Sequence, residues 1–355
     1  MSAMRRPLLL LTLALLISMG ALAHAADDFL YSRFSDYLDA LRTQAGIPGL
    51  AAAIVGPTGV VWEAAFGQQD VERNVATRTD TPFELDGTTE AVVASVAMWC
   101  SEHGLLSLSD RVAAYAPSSP DAGATLLQVM SHTTAGPGGL TFSYRPDRLA
   151  PLAAAVAKCT DPSLRRGVGN LLNQLQMIDS VPGSDIVQLT PPQEQFTAKA
   201  LADYADALRR LAVPYSVDAR RHATRSSYVA TTLTPTSGLI ASVRDLEQFD
   251  LALKKGVILD RDWLSFAWTP PLDANGAPLP HGYGWFVQTT GGERICWQFG
   301  VSDNASSSMI ITMPVRGLTL ILLANSHGLV RPFALSDGDV TVSPFARLFL
   351  SVFAR

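Results

Sequence analysis

The sequence has 355 residues, 48% of them hydrophobic, so it can bury a sizeable core in one large domain or two. Its formal net charge is −5 at pH 7. An acidic chain is a poor partner for nucleic acid or for an anionic membrane surface, and we expect neither.

The first 25 residues have the order of a cleaved signal peptide. Arg5 and Arg6 precede an apolar run over residues 8–22, and Ala23-His24-Ala25 forms a small-residue cleavage site before Ala26. The apolar run is too short to favour a permanent membrane span. No cysteine follows the cleavage site to carry a lipid, so we expect no stable membrane anchor. This order predicts a periplasmic or secreted protein whose mature chain is residues 26–355.

Hydrophobic periodicity predicts a helix at the start of the mature chain, followed by a hairpin. Apolar residues recur at helical spacing over residues 28–45, and the pattern ends at Gly46. Two apolar runs, residues 49–55 and 60–66, flank Gly56-Pro57-Thr58-Gly59. Glycine and proline between two such runs are typical of a β-hairpin.

The rest of the chain changes from helical to β-type patterns. Residues 91–215 are predicted to be mainly helical, and another helix is predicted over residues 243–253. Four β-type runs follow, at residues 283–289, 294–299, 307–312 and 318–324. The last stretch, residues 344–354, is again apolar at helical spacing.

Three cysteines are too few for a disulfide framework. Cys100, Cys159 and Cys296 have apolar neighbours, which favours buried free thiols. One disulfide could still form in an oxidising compartment, and the sequence does not show which two cysteines would form it. The six histidines lie far apart, and no Cys/His cluster has metal-ligand spacing. We therefore expect structural histidines, no metal and no cofactor.

One stretch, residues 83–90, carries a resemblance to a known family. Its sequence, Phe-Glu-Leu-Asp-Gly-Thr-Thr-Glu, precedes an apolar helical run. It resembles the nucleophile helix of the serine β-lactamase and penicillin-binding-protein superfamily, in the class C, D-alanyl-D-alanine carboxypeptidase and esterase branch. There the pattern is Phe-x-Ile-Gly-Ser-x-Thr-Lys. Residues 126–136 are similar to the family's Leu-Leu-x-His-Thr-Ser-Gly, and residues 237–249 to its Gly-Gly-Leu-x-Ser-Thr-x-x-Asp-Leu-x-x-Phe.

The resemblance implies a serine β-lactamase-like fold of the α/β (α+β) class. An antiparallel sheet flanked by helices is expected from residues 26–86 and 237–355. A mainly helical inserted part is expected from residues 87–236. The family's catalytic cleft lies between these two parts.

The resemblance also locates the family's reactive positions, and most of them have lost their chemistry. The family uses a serine at the start of a helix, a lysine three residues later, a Tyr-x-Asn pair and a strand with His-x-Gly or Lys-Thr-Gly. Here only the tyrosine and the last glycine are kept. No serine in the chain is followed three residues later by lysine. The corresponding positions are Gly87, Glu90, Tyr144, Pro146, Gln298 and Gly300.

A family frame without its reactive pair predicts an exported protein that is catalytically inactive. It would bind a peptidoglycan fragment, a peptide, a protein or another small molecule, or serve a purely structural role. The alternative is an active hydrolase of esters or amides that uses a non-family nucleophile. Restoring the serine alone is expected to leave the protein inactive, because no base would activate it. The expected ligand-binding positions are Gly87, Tyr144, Arg145, Gln298 and Val301.

Glu90 is expected to cap its own helix. It lies three residues after Gly87, where a capping-box glutamate reaches back to the N–H of the N-cap residue. Glycine is an acceptable N-cap, and a carboxylate near a helix start gains from the helix dipole. The backbone N–H groups of Gly87 and Val301 correspond to the family's oxyanion hole, which the Glu90 carboxylate would partly fill.

Overall fold

The computed structural model describes residues 28–160, 163–188 and 196–354, so the predicted signal peptide lies outside the described residues. The strands are β1 (Gly49–Val55), β2 (Val60–Asp70), β3 (Val75–Ala76), β4 (Phe83–Glu84), β5 (Thr133–Gly136), β6 (Gly139–Phe142), β7 (Val181–Pro182), β8 (Tyr215–Val217), β9 (Ala223–Arg225), β10 (Leu239–Ala241), β11 (Phe286–Thr290), β12 (Glu293–Ser302), β13 (Ser306–Met313) and β14 (Leu318–Ala324). The helices are α1 (28–45), α2 (Thr89–Glu102), α3 (Leu126–Met130), α4 (Ala150–Thr160), α5 (Leu164–Gln174), α6 (Ala198–Arg209), α7 (Val243–Lys254), α8 (Arg261–Ala267) and α9 (Pro344–Phe353).

Strands from both ends of the chain form one antiparallel sheet. Its order is β11-β12-β13-β14-β1-β2-β3, so β1 lies between its hairpin partner β2 and the late strand β14. Smaller sheets are β4-β10-β7 and the hairpins β5-β6 and β8-β9. The predicted α+β class, an antiparallel sheet flanked by helices, is confirmed. The division at residues 87 and 237 stays a prediction.

The sheet is covered on both faces, which explains why every residue of β1 is buried. Successive side chains of a strand point to opposite faces. Ala51 and Ala53 accordingly belong to the core that contains α2 and α7. Leu50 and Ile54 belong to the core that α1 and α9 complete. The predicted helix at residues 28–45 and the hairpin after it are therefore both present.

The middle of the chain contains more β-structure than the sequence pattern predicts. The hairpin β5-β6 lies inside residues 91–215, for which mainly helical structure is predicted. The hairpin β8-β9 begins at residue 215, where that range ends, and extends to residue 225. The β5-β6 strands are short and only partly buried, and such strands leave little hydrophobic periodicity in the sequence.

The prediction of three free thiols is wrong for two of the cysteines. Cys100, near the end of α2, forms a disulfide with Cys159, near the end of α4, and the two are 59 residues apart in sequence. The pairing depends on how two helices pack, which local sequence does not reveal. Cys296 is free and buried, and burial raises the pKa of its thiol to about 12.

Among the described residues, no helix combines the length and the apolar character that a membrane crossing requires.

Candidate functional site

The site is built where the chain passes from β4 into α2. Glu84 in β4 pairs with Ile240 of β10, and a short 3-10 helix over Asp86–Thr88 then leads into α2 at Thr89. Asp86 has a φ of +47°, and aspartate tolerates this left-handed conformation better than most residues do. This turn brings the backbone of residue 87 against the inner strand β12.

At Gly87 the structure has no space for a side chain. A Cβ atom there would lie 2.5 Å from the Phe299 carbonyl oxygen and 3.3 Å from the Gly300 Cα. A Cβ at Gly300 would in turn overlap the Leu85 carbonyl oxygen. The two glycines therefore allow the turn and β12 to pack backbone against backbone. A side chain at residue 87, the position that corresponds to the family's serine, would meet this strand.

Glu90 is fully buried in the first turn of α2 and contacts two histidines. Its Oε1 atom lies 3.0 Å from Nε2 of His132 and 3.6 Å from Nε2 of His281. The prediction that Glu90 caps Gly87 is wrong. Thr88 is the N-cap residue, and no side chain caps it. The histidines offer the carboxylate a partner inside the core, so the side chain turns inward rather than back along the helix.

The hydrogen bonds of the two histidines determine which ring nitrogen carries the proton in each neutral ring. The backbone N–H of Arg145 donates to Nδ1 of His132 over 3.0 Å, so His132 carries its proton on Nε2 and donates it to Glu90. Nδ1 of His281 lies 2.8 Å from the Gly282 carbonyl oxygen and donates to it. Nε2 of His281 therefore presents a lone pair toward Glu90.

Distance alone would allow Glu90, His132 and His281 to hold a metal ion. Their nearest ligand atoms all lie within 4.8 Å of one another, and all three residues are buried. A ligating histidine nitrogen must present a lone pair, however, and usually donates its other N–H to an acceptor. His281 meets this requirement, but His132 does not, because its Nε2 holds the proton. The donor set therefore does not fit a three-coordinate metal site.

Tyr144 lies beside this cluster in the segment after β6. Its ring centroid is 4.6 Å from that of His132 and 5.4 Å from that of Phe299, and the residue is half-buried. Burial, with a smaller effect of Glu90, raises the pKa of Tyr144 well above its ordinary value. The phenol is therefore protonated at neutral pH and unsuited to act as a base.

Of the two residues after Tyr144, Arg145 stands at the unrestricted position of the family's Tyr-x-Asn and Pro146 replaces the asparagine. Arg145 is exposed and pairs with Asp147 through a 2.5 Å contact. Pro146 begins the short 3-10 helix Pro146–Leu149 that leads into α4, a position where proline loses no hydrogen bond.

On β12, Gln298 is fully buried and turned into the protein. Its Nε2 donates to the Gly284 carbonyl oxygen over 3.2 Å, and its Oε1 accepts from the Phe299 N–H over 2.9 Å. It reaches a ligand only if the surrounding chain opens. Val301, half-buried, lies opposite Ser307 of β13. Gly87 itself is partly exposed, so the predicted positions Gly87, Tyr144, Arg145 and Val301 retain some access to solvent.

Two acidic residues that sequence reasoning did not single out are buried beneath this turn. Both carboxylate oxygens of Glu84 are buried without a hydrogen-bond partner among the described residues. Asp86 accepts a 2.6 Å hydrogen bond from the hydroxyl of Ser306. Burial, together with the neighbouring Asp86, raises the pKa of Glu84 to about 9, and burial raises that of Asp86 to about 7.

The histidines were also missed as site residues, and one signal could have found His132. An acidic residue at the lysine position of a buried helix start requires a hydrogen-bond donor nearby. His132 belongs to the stretch similar to the family's Leu-Leu-x-His-Thr-Ser-Gly. His281 has no comparable motif, and only the folded chain brings it to Glu90.

The fold and the arrangement around α2 define a serine β-lactamase-like protein. The family model described as Beta-lactamase matches residues 34–171 and 181–338, so the chain belongs to the Beta-lactamase family. This confirms the resemblance noted in the sequence.

Two curated relatives agree with this assignment. The chain is 31% identical over 149 residues to a "Beta-lactamase" from Psychrobacter immobilis, which is 41% of this chain and 36% of that protein. It is 22% identical over 319 residues to "Protein flp" from Staphylococcus aureus, which is 79% of this chain and 60% of the relative. The matches thus span less than two thirds of either relative.

Solved structures of low sequence identity share the fold. An octameric penicillin-binding protein homologue from Pyrococcus abyssi superposes with a TM-score of 0.73 at 16% identity, over 92% of this chain and 78% of that one. A class C β-lactamase from Rhodobacter sphaeroides gives a TM-score of 0.66 at 16% identity, over 90% and 97% of the two chains.

Proposed function

We propose that this protein is an exported, non-acylating member of the Beta-lactamase family that uses the remnant of the family's cleft for binding. The observation that carries the proposal is the contact at Gly87. The position of the attacking serine holds a glycine without space for a side chain, since a Cβ atom there would lie 2.5 Å from the Phe299 carbonyl oxygen.

The residues around Gly87 support a loss of acyl chemistry as well. Acyl transfer needs an activated nucleophile and a base within hydrogen-bond reach. The base position holds Glu90, which is buried and turned toward two histidines rather than toward residue 87. Tyr144, whose pKa is raised, is not available as a base either.

Other hydroxyls near the turn are poor replacements for the serine, which weakens the alternative of a hydrolase with a non-family nucleophile. The Thr88 hydroxyl is buried and forms a 2.7 Å hydrogen bond with the hydroxyl of Ser308. Ser308 also donates a 2.5 Å hydrogen bond to the Leu85 carbonyl oxygen. Both hydroxyls are engaged inside the protein, where a substrate carbonyl has no access.

The Cys100–Cys159 disulfide supports export, because disulfides form and persist in oxidising compartments. A periplasmic or secreted location brings the protein near cell-wall material. The binding partner we propose is therefore a peptidoglycan fragment, a peptide or another protein, held by the exposed parts of Gly87, Tyr144 and Val301. Mature protein recovered from the periplasm or medium should begin at or near Ala26, as N-terminal sequencing can verify.

Covalent labelling tests the loss of acyl chemistry directly. The purified mature protein is incubated with a fluorescent penicillin and, separately, with a fluorophosphonate, beside an active class C β-lactamase. We expect the control enzyme to be labelled and this protein to keep its unmodified mass. A stoichiometric adduct on any residue, located by peptide mass spectrometry, would establish the hydrolase alternative instead.

A further inference from the structure

The buried cluster of Glu90, His132 and His281 has more hydrogen-bond acceptors than donors when both histidines are neutral. His132 supplies one hydrogen, which Glu90 Oε1 accepts. Glu90 Oε2 and His281 Nε2 are buried without a partner among the described residues. The latter atom lies 3.6 Å from Glu90 Oε1, and both side chains are 0% exposed. Two acceptors that face each other away from water are costly, and so is a buried carboxylate with a single donor.

One additional hydrogen would remove this mismatch. On Glu90 it would make the carboxyl group neutral and provide an O–H for His281. On Nε2 of His281 it would create an ion pair with Glu90. His132 has no place for it, because the Arg145 N–H occupies Nδ1. Burial, and then the neighbouring His132, lower the pKa of His281 well below its ordinary value, so an imidazolium at His281 is disfavoured.

We propose that Glu90, His132 and His281 form a proton-dependent latch, in which one shared proton holds three elements of the cleft together. Glu90 belongs to α2, His132 directly precedes β5, and His281 lies before β11 and bridges to Phe286. Loss of the proton leaves a buried negative charge between these elements and weakens their contact. The latch goes beyond the proposed binding function and does not depend on which ligand the cleft takes.

Two neighbouring side chains could alter the charge balance of the cluster. Tyr144 faces the cluster from the segment after β6 and stays neutral at the pH values concerned. The guanidinium of Arg145 is exposed and paired with Asp147, so it does not supply a compensating charge.

The direction of the pH effect follows from the proton count. In an unfolded chain at pH 8, glutamate is ionised and both histidines are neutral, so these three residues hold no proton. The folded cluster holds one. Stability therefore falls as the pH rises above neutrality, and the unfolding constant rises up to about tenfold per pH unit for this one proton.

The substitution Glu90→Gln tests the latch, because the amide supplies the missing hydrogen at every pH. Its oxygen can accept from His132, and its NH₂ group can donate to His281. Urea unfolding is measured from pH 7 to 9 in the presence of a chelator. We expect the unfolding constant of the unmodified protein to rise more steeply with pH than that of Glu90→Gln, by up to about tenfold per pH unit. Glu102→Gln, at the other end of the same helix, is the matched control and should keep the original slope.

Equal slopes for the unmodified protein and Glu90→Gln would overturn the latch. If Glu90→Gln does not fold, carbon and nitrogen NMR of the unmodified protein decide the question. At pH 8 we expect either a neutral carboxyl group on Glu90 or a second proton on His281, and an ionised Glu90 beside two neutral histidines would refute the proposal. Stoichiometric stabilisation by added Zn²⁺ that Glu90→Gln abolishes would also overturn it, by showing a metal site. A covalent adduct in the labelling experiment would refute the proposed function but leave the latch intact.

Discussion

The backbone contact between Gly87 and β12 leads to a prediction about Gly87→Ala. The φ of this glycine is not in the left-handed region, so alanine can adopt its backbone conformation and any penalty comes from the added methyl group. A carbon and an oxygen that are not bonded to each other normally stay about 3.3 Å or more apart. The Cβ atom at residue 87 would lie 2.5 Å from the Phe299 carbonyl oxygen, so the turn and β12 must separate by several tenths of an ångström.

We expect Gly87→Ala to lower the free energy of unfolding by about 1–3 kcal/mol, the usual cost of overpacking. Urea unfolding followed by circular dichroism measures this change. Gly59→Ala is the matched control, because Gly59 has no atom within 4 Å of its added Cβ and no left-handed φ, and it should leave stability nearly unchanged. If the two variants are equally stable, residue 87 has free space and the steric exclusion of a side chain there is wrong. Gly87→Ser adds the same Cβ and should remain unreactive toward nitrocefin.

Two further predictions concern the core around this turn. Glu84 keeps a proton in the folded state up to about pH 9 and loses it near pH 4.5 when unfolded, so its contribution to stability falls with rising pH across that window, by about 1.4 kcal/mol per pH unit. Glu84→Gln should remove this part of the pH dependence of the free energy of unfolding between pH 5 and 8.5. Asp36→Asn, at an exposed carboxylate, is the control and should leave the pH dependence as it is. An unchanged pH dependence in Glu84→Gln would contradict the raised pKa of Glu84. Cys100→Ser should lower the free energy of unfolding by about 4 kcal/mol, the chain-entropy value for a loop closed by residues 59 apart. The double variant with Cys159→Ser should be no less stable than either single variant, because both changes remove the same disulfide. A clearly additive loss in denaturation would show that the two sulfurs act separately.

Local patterns in the sequence were sufficient to predict the main strands and helices of the fold. The hairpin at Gly56–Gly59 and the buried strands near the C-terminus follow from glycine turns and apolar runs, which depend on neighbouring residues. The replacement of the reactive serine and lysine by Gly87 and Glu90 could be read position by position, because the motif around them is contiguous.

The contacts of the site could not be predicted in the same way. His132 is 42 residues from Glu90, and the motif that contains it does not indicate what its ring contacts. The capping interpretation of Glu90 used only positions along one helix, where a reach back to Gly87 is the nearest option. The folded chain offers a partner from another element, and hydrogen bonding inside the core determined the rotamer. The disulfide was missed for the same reason, since helix packing brings Cys100 to Cys159.

The close approach of Gly87 and Gly300 also constrains how the family's serine and lysine could be introduced into this chain by mutation. A serine introduced first at residue 87 meets the strand and costs stability before it offers any reactivity. A lysine introduced first at residue 90 would place an ammonium group in a fully buried site where the N–H of His132 is arranged to donate to a carboxylate. A serine at residue 87 therefore requires β12 to shift away from the turn, whereas a lysine at residue 90 requires the two histidines to rearrange. Each substitution is unfavourable until its surroundings have changed, so we expect neither to produce an acylating site by itself.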